Sequence, residues 1–204
     1  MIVVVDYGMG NLGTVAAKIK KMDSSVVITS KEEEISRADK IILPGVGSFK
    51  AGMENLRKRN LIPVLDKKVI QEKTPILGIC LGMQLFTKKS EEGFVDGLGW
   101  IDAETIRFRF QDNQNRLKIP HMGWNTITIP HHHPLLRELG DQPRFYFVHS
   151  YHARCENPEN IVALTEYGYP FPSIITRENI IGVQFHPERS HKFGMKILKN
   201  FIEG

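Results

Sequence analysis

Three residues have the types and placing needed for nucleophilic chemistry. Cys80 sits in Gly78-Ile79-Cys80-Leu81-Gly82-Met83-Gln84, directly after the apolar residues 75–77. A cysteine flanked by glycines where a strand turns into a helix is held out on the tip of a tight turn, and the N-terminus of that helix favours the thiolate. His186 and Glu188 lie just past another apolar run, with Pro187 fixing the backbone between them. If the segment is extended, i and i+2 share a side and the two can meet. A thiolate, a general acid/base and a carboxylate to orient it form a set for acyl transfer. The tetrahedral oxyanion of such a reaction needs preorganised N–H donors. Leu81, one residue after the nucleophile, offers one. The loop Pro44-Gly45-Val46-Gly47 offers a second from Val46 or Gly47, and its glycines permit a peptide flip. Such a flip is an expected on-switch, with the loop inactive in the isolated chain. Gln84, one helical turn after Cys80, faces the same side and suits the α-amino or carboxylate group of a substrate.

The elements that must position these residues follow from the apolar pattern. Residues 1–5, 26–30, 40–43 and 75–79 are short apolar, largely β-branched runs suited to strands buried on both faces. Helices are expected over 11–22, 51–59 and 62–72, so strands and helices alternate as in a parallel sheet covered on both faces. After Leu85 the texture changes to aromatic, turn-separated runs, at 102–108, 120–129, 145–152, 161–165 and 173–176, which suggest antiparallel pairing. Residues 111–115 read as a polar turn, 180–185 as a last strand and 192–202 as an amphipathic closing helix. The expected fold is α/β, with a mixed, mostly parallel central sheet, helices on both faces and an antiparallel β excursion. With no repeat or linker, 1–204 reads as one domain. Cys80 and His186 both follow strands, so both reach the carboxyl edge where open α/β sheets bind ligands.

Composition narrows the classes. The chain has 204 residues, 25% charged and 41% hydrophobic, with a net charge of +4. Its basic residues are scattered and not interleaved with aromatics, so no nucleic-acid partner is expected. No run approaches the ~20 apolar residues of a membrane span. The N-terminal residues lack a basic region and a cleavage-like site, so a cytoplasmic protein with two free thiols, Cys80 and Cys155, is expected. Gly8, Gly10 and Gly13 imitate a dinucleotide fingerprint, but 26–30 ends in hydroxyls rather than an acid, and no cofactor is expected. Three adjacent histidines, 131–133, cannot all face one ion, and no metal is expected.

The stretch 78–84, taken with Gly182-Val183-Gln184-Phe185-His186-Pro187-Glu188, resembles the class I (triad) glutamine amidotransferases, whose fold is flavodoxin-like. Asp6-Tyr7-Gly8-Met9-Gly10-Asn11-Leu12, Pro44-Gly45-Val46-Gly47 and Pro120-His121-Met122-Gly123-Trp124-Asn125 narrow the resemblance. Together they are similar to the glutaminase subunits of imidazole glycerol phosphate synthase, over essentially the whole chain. The resemblance implies that Cys80 attacks the side-chain amide of L-glutamine. His186 then protonates the leaving ammonia and later activates water, Glu188 holds His186, and a γ-glutamyl thioester is the intermediate. Ammonia would pass to a HisF-like (β/α)8 cyclase subunit within a heterodimer that serves histidine biosynthesis, and the glutaminase would be nearly silent without it. By family position Glu92 binds the glutamine ammonium, the backbone of Ser150 and Tyr151 completes the pocket, and Asn11, Trp124 and Arg189 face the synthase.

Two other readings stay open. Residues 97–104 and 190–195 are similar to paralogues that feed a sugar amidotransferase in surface-polysaccharide pathways. A non-catalytic binding subunit is the second, opposed by the intact set of Cys80, His186 and Glu188.

Overall fold

A computed structural model describes residues 1–111, 117–130 and 132–204. The polar turn expected at 111–115 lies largely outside them, as does His131. The chain builds a seven-stranded sheet in the order β11-β12-β13-β4-β3-β1-β2. Its parallel part comprises β1 (Ile2–Val5), β2 (Val26–Thr29), β3 (Lys40–Gly45), β4 (Ile76–Cys80) and β13 (Ile180–Val183). The remaining two, β11 (Ile161–Glu166) and β12 (Pro170–Arg177), add antiparallel onto β13. The expected α/β fold with a mixed, mostly parallel sheet is therefore observed. The order β2-β1-β3-β4 reverses direction between β1 and β3, which opens a crevice at their carboxyl ends.

The β-branched runs are buried on both faces, as their composition requires. Val3, Val5, Ile41 and Leu43 face α3 (Phe49–Lys58) and α4 (Ile62–Asp66), whereas Ile2, Val4 and Ile42 face α1 (Leu12–Lys20) and α6 (His191–Glu203). Ser48 starts α3 two residues before the expected position, because its hydroxyl accepts the Ala51 N–H. A short acidic helix, α2 (Glu32–Ser36), was not expected; a lone apolar side chain, Ile35, anchors it. The helix expected over 62–72 is α only to Asp66 and continues as a π-turn, Lys67–Gln71.

The excursion after β4 forms two small sheets on opposite faces. One has the order β10-β7-β5-β6, with β5 (Lys89–Ser90), β6 (Val95–Asp96), β7 (Ala103–Arg107) and β10 (Tyr151–Cys155). The other pairs β8 (His121–Thr126) with β9 (Arg144–His149). The single strand expected over 145–152 is thus two strands broken at Ser150. Its first half pairs with β8 and its second with β7, in two different sheets.

Phe108 fills the junction of these sheets with its ring centroid 4.6 Å from His152, 5.2 Å from His149 and 5.3 Å from Phe171. It is 1% exposed. Phe108→Ala is expected to lower the unfolding free energy in urea by about 3–5 kcal/mol; a loss below about 1 kcal/mol would contradict this packing.

Candidate active site

Cys80 is the last residue of β4, between Gly45 of β3 and the end of β13 in register. Its backbone has φ 54° and ψ −108°, a conformation that costs a non-glycine residue about 1–3 kcal/mol. The close-packed turn holds it there. A Cβ on Gly82 would sit 1.8 Å from the Leu43 carbonyl oxygen, so α5 (Leu81–Gln84) can lie against β3 only with glycine at that position. The helix-dipole expectation is corrected here: α5 has four residues, too few aligned peptides for an appreciable macrodipole. Side chains must polarise the thiol instead.

His186 and Glu188 lie beside Cys80, past the end of β13. The segment is not extended as expected. Residues 187–189 form a 3₁₀ turn, and the Ser190 hydroxyl donates to the His186 carbonyl at 2.6 Å while accepting the Tyr146 N–H at 3.0 Å. This turn still brings His186 Nδ1 within 2.9 Å of Glu188 Oε1, with both residues buried. Burial pulls the His186 imidazole down, but the charges of Cys80 and Glu188 outweigh it and push it up to about 10. Its Nε2 has no hydrogen-bond partner among the described residues. A proton at Nδ1, held by the carboxylate, leaves Nε2 as the working nitrogen.

A cavity of about 250 Å³ opens over the sulfur. Val46, Gly47, Cys80, Leu81, Gln84, Glu92, Ser150 and Tyr151, eight of the residues singled out by sequence, all line it. Gly47 has φ +123°, which glycine alone tolerates easily. Glu92 Oε2 accepts the Phe49 N–H at 2.7 Å, which ties the β5–β6 hairpin to the first turn of α3. Gln84 is committed within the protein: its Nε2 donates to the Tyr151 carbonyl at 2.9 Å and to Gln184 Oε1 at 3.1 Å.

The expected partner-facing residues lie outside this cavity. Trp124 is 40% exposed, stacks on His191 with centroids 5.1 Å apart and meets Tyr146 edge-on. The exposed Arg189 guanidinium lies 5.9 Å from the Tyr146 ring centroid. Asn11 stands at the start of α1, where it makes no capping bond and instead accepts the Thr14 hydroxyl at 2.8 Å. The structure thus joins Trp124 and Arg189 through Tyr146. Cys155 is a free thiol, as is Cys80, and burial, then Asp102 and Glu156, push it up to about 12. His133 Nδ1 accepts the Leu135 N–H and caps a 3₁₀ turn.

His121, His149 and His152 have no acidic partner that the sequence marks. The structure gives them a relay. His149 Nδ1 must donate to the Tyr151 carbonyl at 2.8 Å, so its Nε2 accepts from His121 Nδ1 at 3.1 Å. His121 Nε2 then accepts from Asn125, which also donates to the Glu166 carbonyl. His152 donates to the Ala153 carbonyl and accepts the Tyr169 hydroxyl at 2.9 Å. All three are neutral. Burial lowers His121 and His152 to about 4 and His149 well below its usual value. No pattern in the sequence marks such contacts, because the partners come from β8, β9, β10 and the turn before β12.

Residues 3–204 match the family model for glutamine amidotransferase class-I. The chain belongs to that family and is a glutamine amidotransferase subunit. It is similar to the imidazole glycerol phosphate synthase subunit HisH 2 of Methanococcus maripaludis, with 53% identity across 100% of this chain and 99% of the relative. It is also similar to HisH 2 of Pseudomonas aeruginosa, 46% identical across 100% and 99%, and to HisH of Leptospira interrogans, 42% identical across 98% of each. Among solved structures, a glutamine amidotransferase shares the fold with a TM-score of 0.76 and 16% identity, over 100% of this chain and 98% of that one. Another, from Thermotoga maritima, has a TM-score of 0.67 and 16% identity, over 99% and 83%.

Neutral buried histidines make the fold acid-sensitive with a definite sign. Their folded pKa values are depressed, so the unfolded chain binds more protons below about pH 6.5 and stability falls as the pH drops toward 4. His186 acts oppositely: its contribution is complete below about 6.5 and is lost as pH rises through 10. Urea unfolding between about pH 6.5 and 5 is expected to lose about 1.4 kcal/mol per pH unit for each buried neutral histidine, with a shallower slope in His152→Gln. A flat profile would contradict the relay.

Proposed function

We propose that this chain is the glutaminase subunit of an imidazole glycerol phosphate synthase, hydrolysing L-glutamine and passing ammonia to a HisF-like (β/α)8 cyclase subunit in histidine biosynthesis. The observation that carries the chemistry is the His186–Glu188 pair, 2.9 Å apart beside Cys80, which lines a cavity. The pathway rests on full-length relatives of 42–53% identity that carry the synthase name.

In this reading the Cys80 thiolate adds to the amide carbon of glutamine. The oxyanion is received by the N–H of Leu81 and one from Val46 or Gly47. His186 Nε2 gives its proton to the amide nitrogen, the C–N bond breaks, and ammonia leaves a γ-glutamyl thioester on Cys80. Water then enters, His186 takes its proton, the C–S bond breaks, and glutamate leaves with the thiolate restored. Glu188 keeps Nδ1 protonated throughout, so that Nε2 can exchange protons in both half-reactions. Gln84, Glu92 and the backbone of Ser150 and Tyr151 hold the amino-acid end of the substrate. Asn11, Trp124 and Arg189 meet the cyclase. The Pro44–Gly47 loop takes its active orientation only with the partner bound.

No cofactor or metal takes part in this scheme. No helix among the described residues is long and apolar enough to cross a membrane. The reading assigns the reaction to the cytoplasm, where a thiolate nucleophile stays reduced, and treats 1–204 as one domain, supported by the family match over 3–204. Nothing in the site favours the sugar amidotransferase or the purely binding reading.

Mixed with the cyclase subunit of its own cell, the chain is expected to release glutamate from glutamine. Cys80→Ser should lower that rate by about 10³-fold or more, and Glu188→Gln by a smaller factor. Undiminished glutamate release by Cys80→Ser would remove the proposal.

A further inference from the structure

Besides His186, two polar groups among the described residues lie within hydrogen-bonding reach of the Cys80 sulfur. The Val148 carbonyl lies 3.9 Å away, where it accepts from the neutral thiol. The side-chain nitrogen of Gln184 lies 3.7 Å away on another side. A carbonyl dipole opposes ionisation of the thiol, whereas an amide N–H favours it.

Which end of the Gln184 amide faces the sulfur follows from its partners. Gln84 contacts the Tyr151 carbonyl at 2.9 Å, so the contacting atom of Gln84 is its nitrogen, since two carbonyl oxygens cannot hydrogen-bond each other. The same nitrogen lies 3.1 Å from Gln184 and donates there as well, so that end of Gln184 is its oxygen. The end left for Cys80 is NH₂. The chain of donors runs from Gln84 to Gln184 to sulfur, and all three residues are buried, Gln184 completely.

We propose that Gln184 is a catalytic residue of this site: its amide N–H donates to Cys80 Sγ and stabilises the thiolate, and Gln84 is the positioning residue that sets its direction. The proposal deepens the glutaminase reading and rests on Cys80 being the nucleophile. Its chemical sense lies in the difference between an amide and an imidazolium. His186 gives its proton to the leaving ammonia and takes another from water, so each time the sulfur is a thiolate it faces an imidazolium that can protonate it. Gln184 does not titrate. It stays a donor when hydrolysis of the thioester returns the sulfur to the thiolate, and it never delivers a proton to it. It also offsets the Val148 carbonyl.

The test is the pH dependence of iodoacetamide alkylation in the full chain, read by peptide mass spectrometry so that Cys80 and Cys155 are followed separately. No glutamine is needed, so failure of the glutaminase reading cannot imitate failure of this one. Gln184→Met removes the donor and nearly keeps the volume. Its Cys80 midpoint is expected to rise by about one pH unit or more, the loss of one hydrogen bond to a charged group. In Gln184→Glu a carboxylate oxygen replaces the NH₂ group against the sulfur, and the midpoint should rise further. Gln84→Met should shift it in the same direction by less. The partner-activated kcat/KM should fall about tenfold or more in both Gln184 variants, with Glu the slower. Cys155 reports packing: if Gln184→Met makes it reactive, the comparison passes to Gln184→Glu and Gln84→Met. Unchanged Cys80 midpoints in the packed variants, or a Glu midpoint no higher than that of Met, would overturn the proposal.

Discussion

The strained backbone at Cys80 is the constraint on which the site depends. A cysteine at φ 54° and ψ −108° would relax if it were free to do so. It is held because β4 is paired in parallel on both edges, with β3 and with β13, up to its last residues. The approach of Gly82 to the Leu43 carbonyl leaves α5 no room to move away from β3. The elbow therefore carries about 1–3 kcal/mol of strain, which the burial of Ile76, Leu77 and Ile79 readily offsets at roughly 1.5–3 kcal/mol for each buried aliphatic side chain. The same pairing places the end of β13 alongside the end of β4, and this sets His186 next to the sulfur.

Two electrostatic settings for one residue type share this small volume. His186 meets a carboxylate and the nucleophile, and is held well above its ordinary value despite burial. His121 and His149 meet each other and a carbonyl, His152 meets a carbonyl and a hydroxyl, and burial is the largest influence on all three and holds them low. The difference follows from placing. The 3₁₀ turn after His186 brings Glu188 back to it, whereas none of the other three makes a hydrogen bond to a carboxylate among the described residues. The neutral relay fixes the Tyr151 carbonyl, which in turn fixes Gln84 and through it Gln184. The catalytic sulfur and the relay therefore belong to one hydrogen-bonded structure.

Much of this was readable from the sequence where local chemistry decides it. The β-branched runs 1–5, 40–43 and 75–79 mark strands buried on both faces, and Cys80, His186 and Glu188 stand out by type and flanking residues. Where tertiary pairing decides, the sequence was mute or misleading. At Ser150 the chain passes from one small sheet to the other, β9 pairing with β8 and β10 with β7. The helix α2 has three glutamates and one buried anchor, too weak a periodicity to notice. A macrodipole was expected at Cys80 because the residues after it read as a helix, yet α5 stops after four residues, and the polarising groups are side chains that follow β13. The sulfur contact of Gln184 depends on strand register and was hidden inside a motif whose other members drew attention first.

The central claim is that Cys80, displayed by this elbow and served by His186, forms a covalent acyl intermediate. The most direct measurement is rapid acid quench of the chain with its cyclase partner and glutamine, followed by peptide mass spectrometry. The account predicts a γ-glutamyl thioester on the peptide containing Cys80, formed within one turnover, with Cys155 unmodified. Glutamate released in the first turnover with Cys80 unmodified, or an adduct on Cys155, would contradict it.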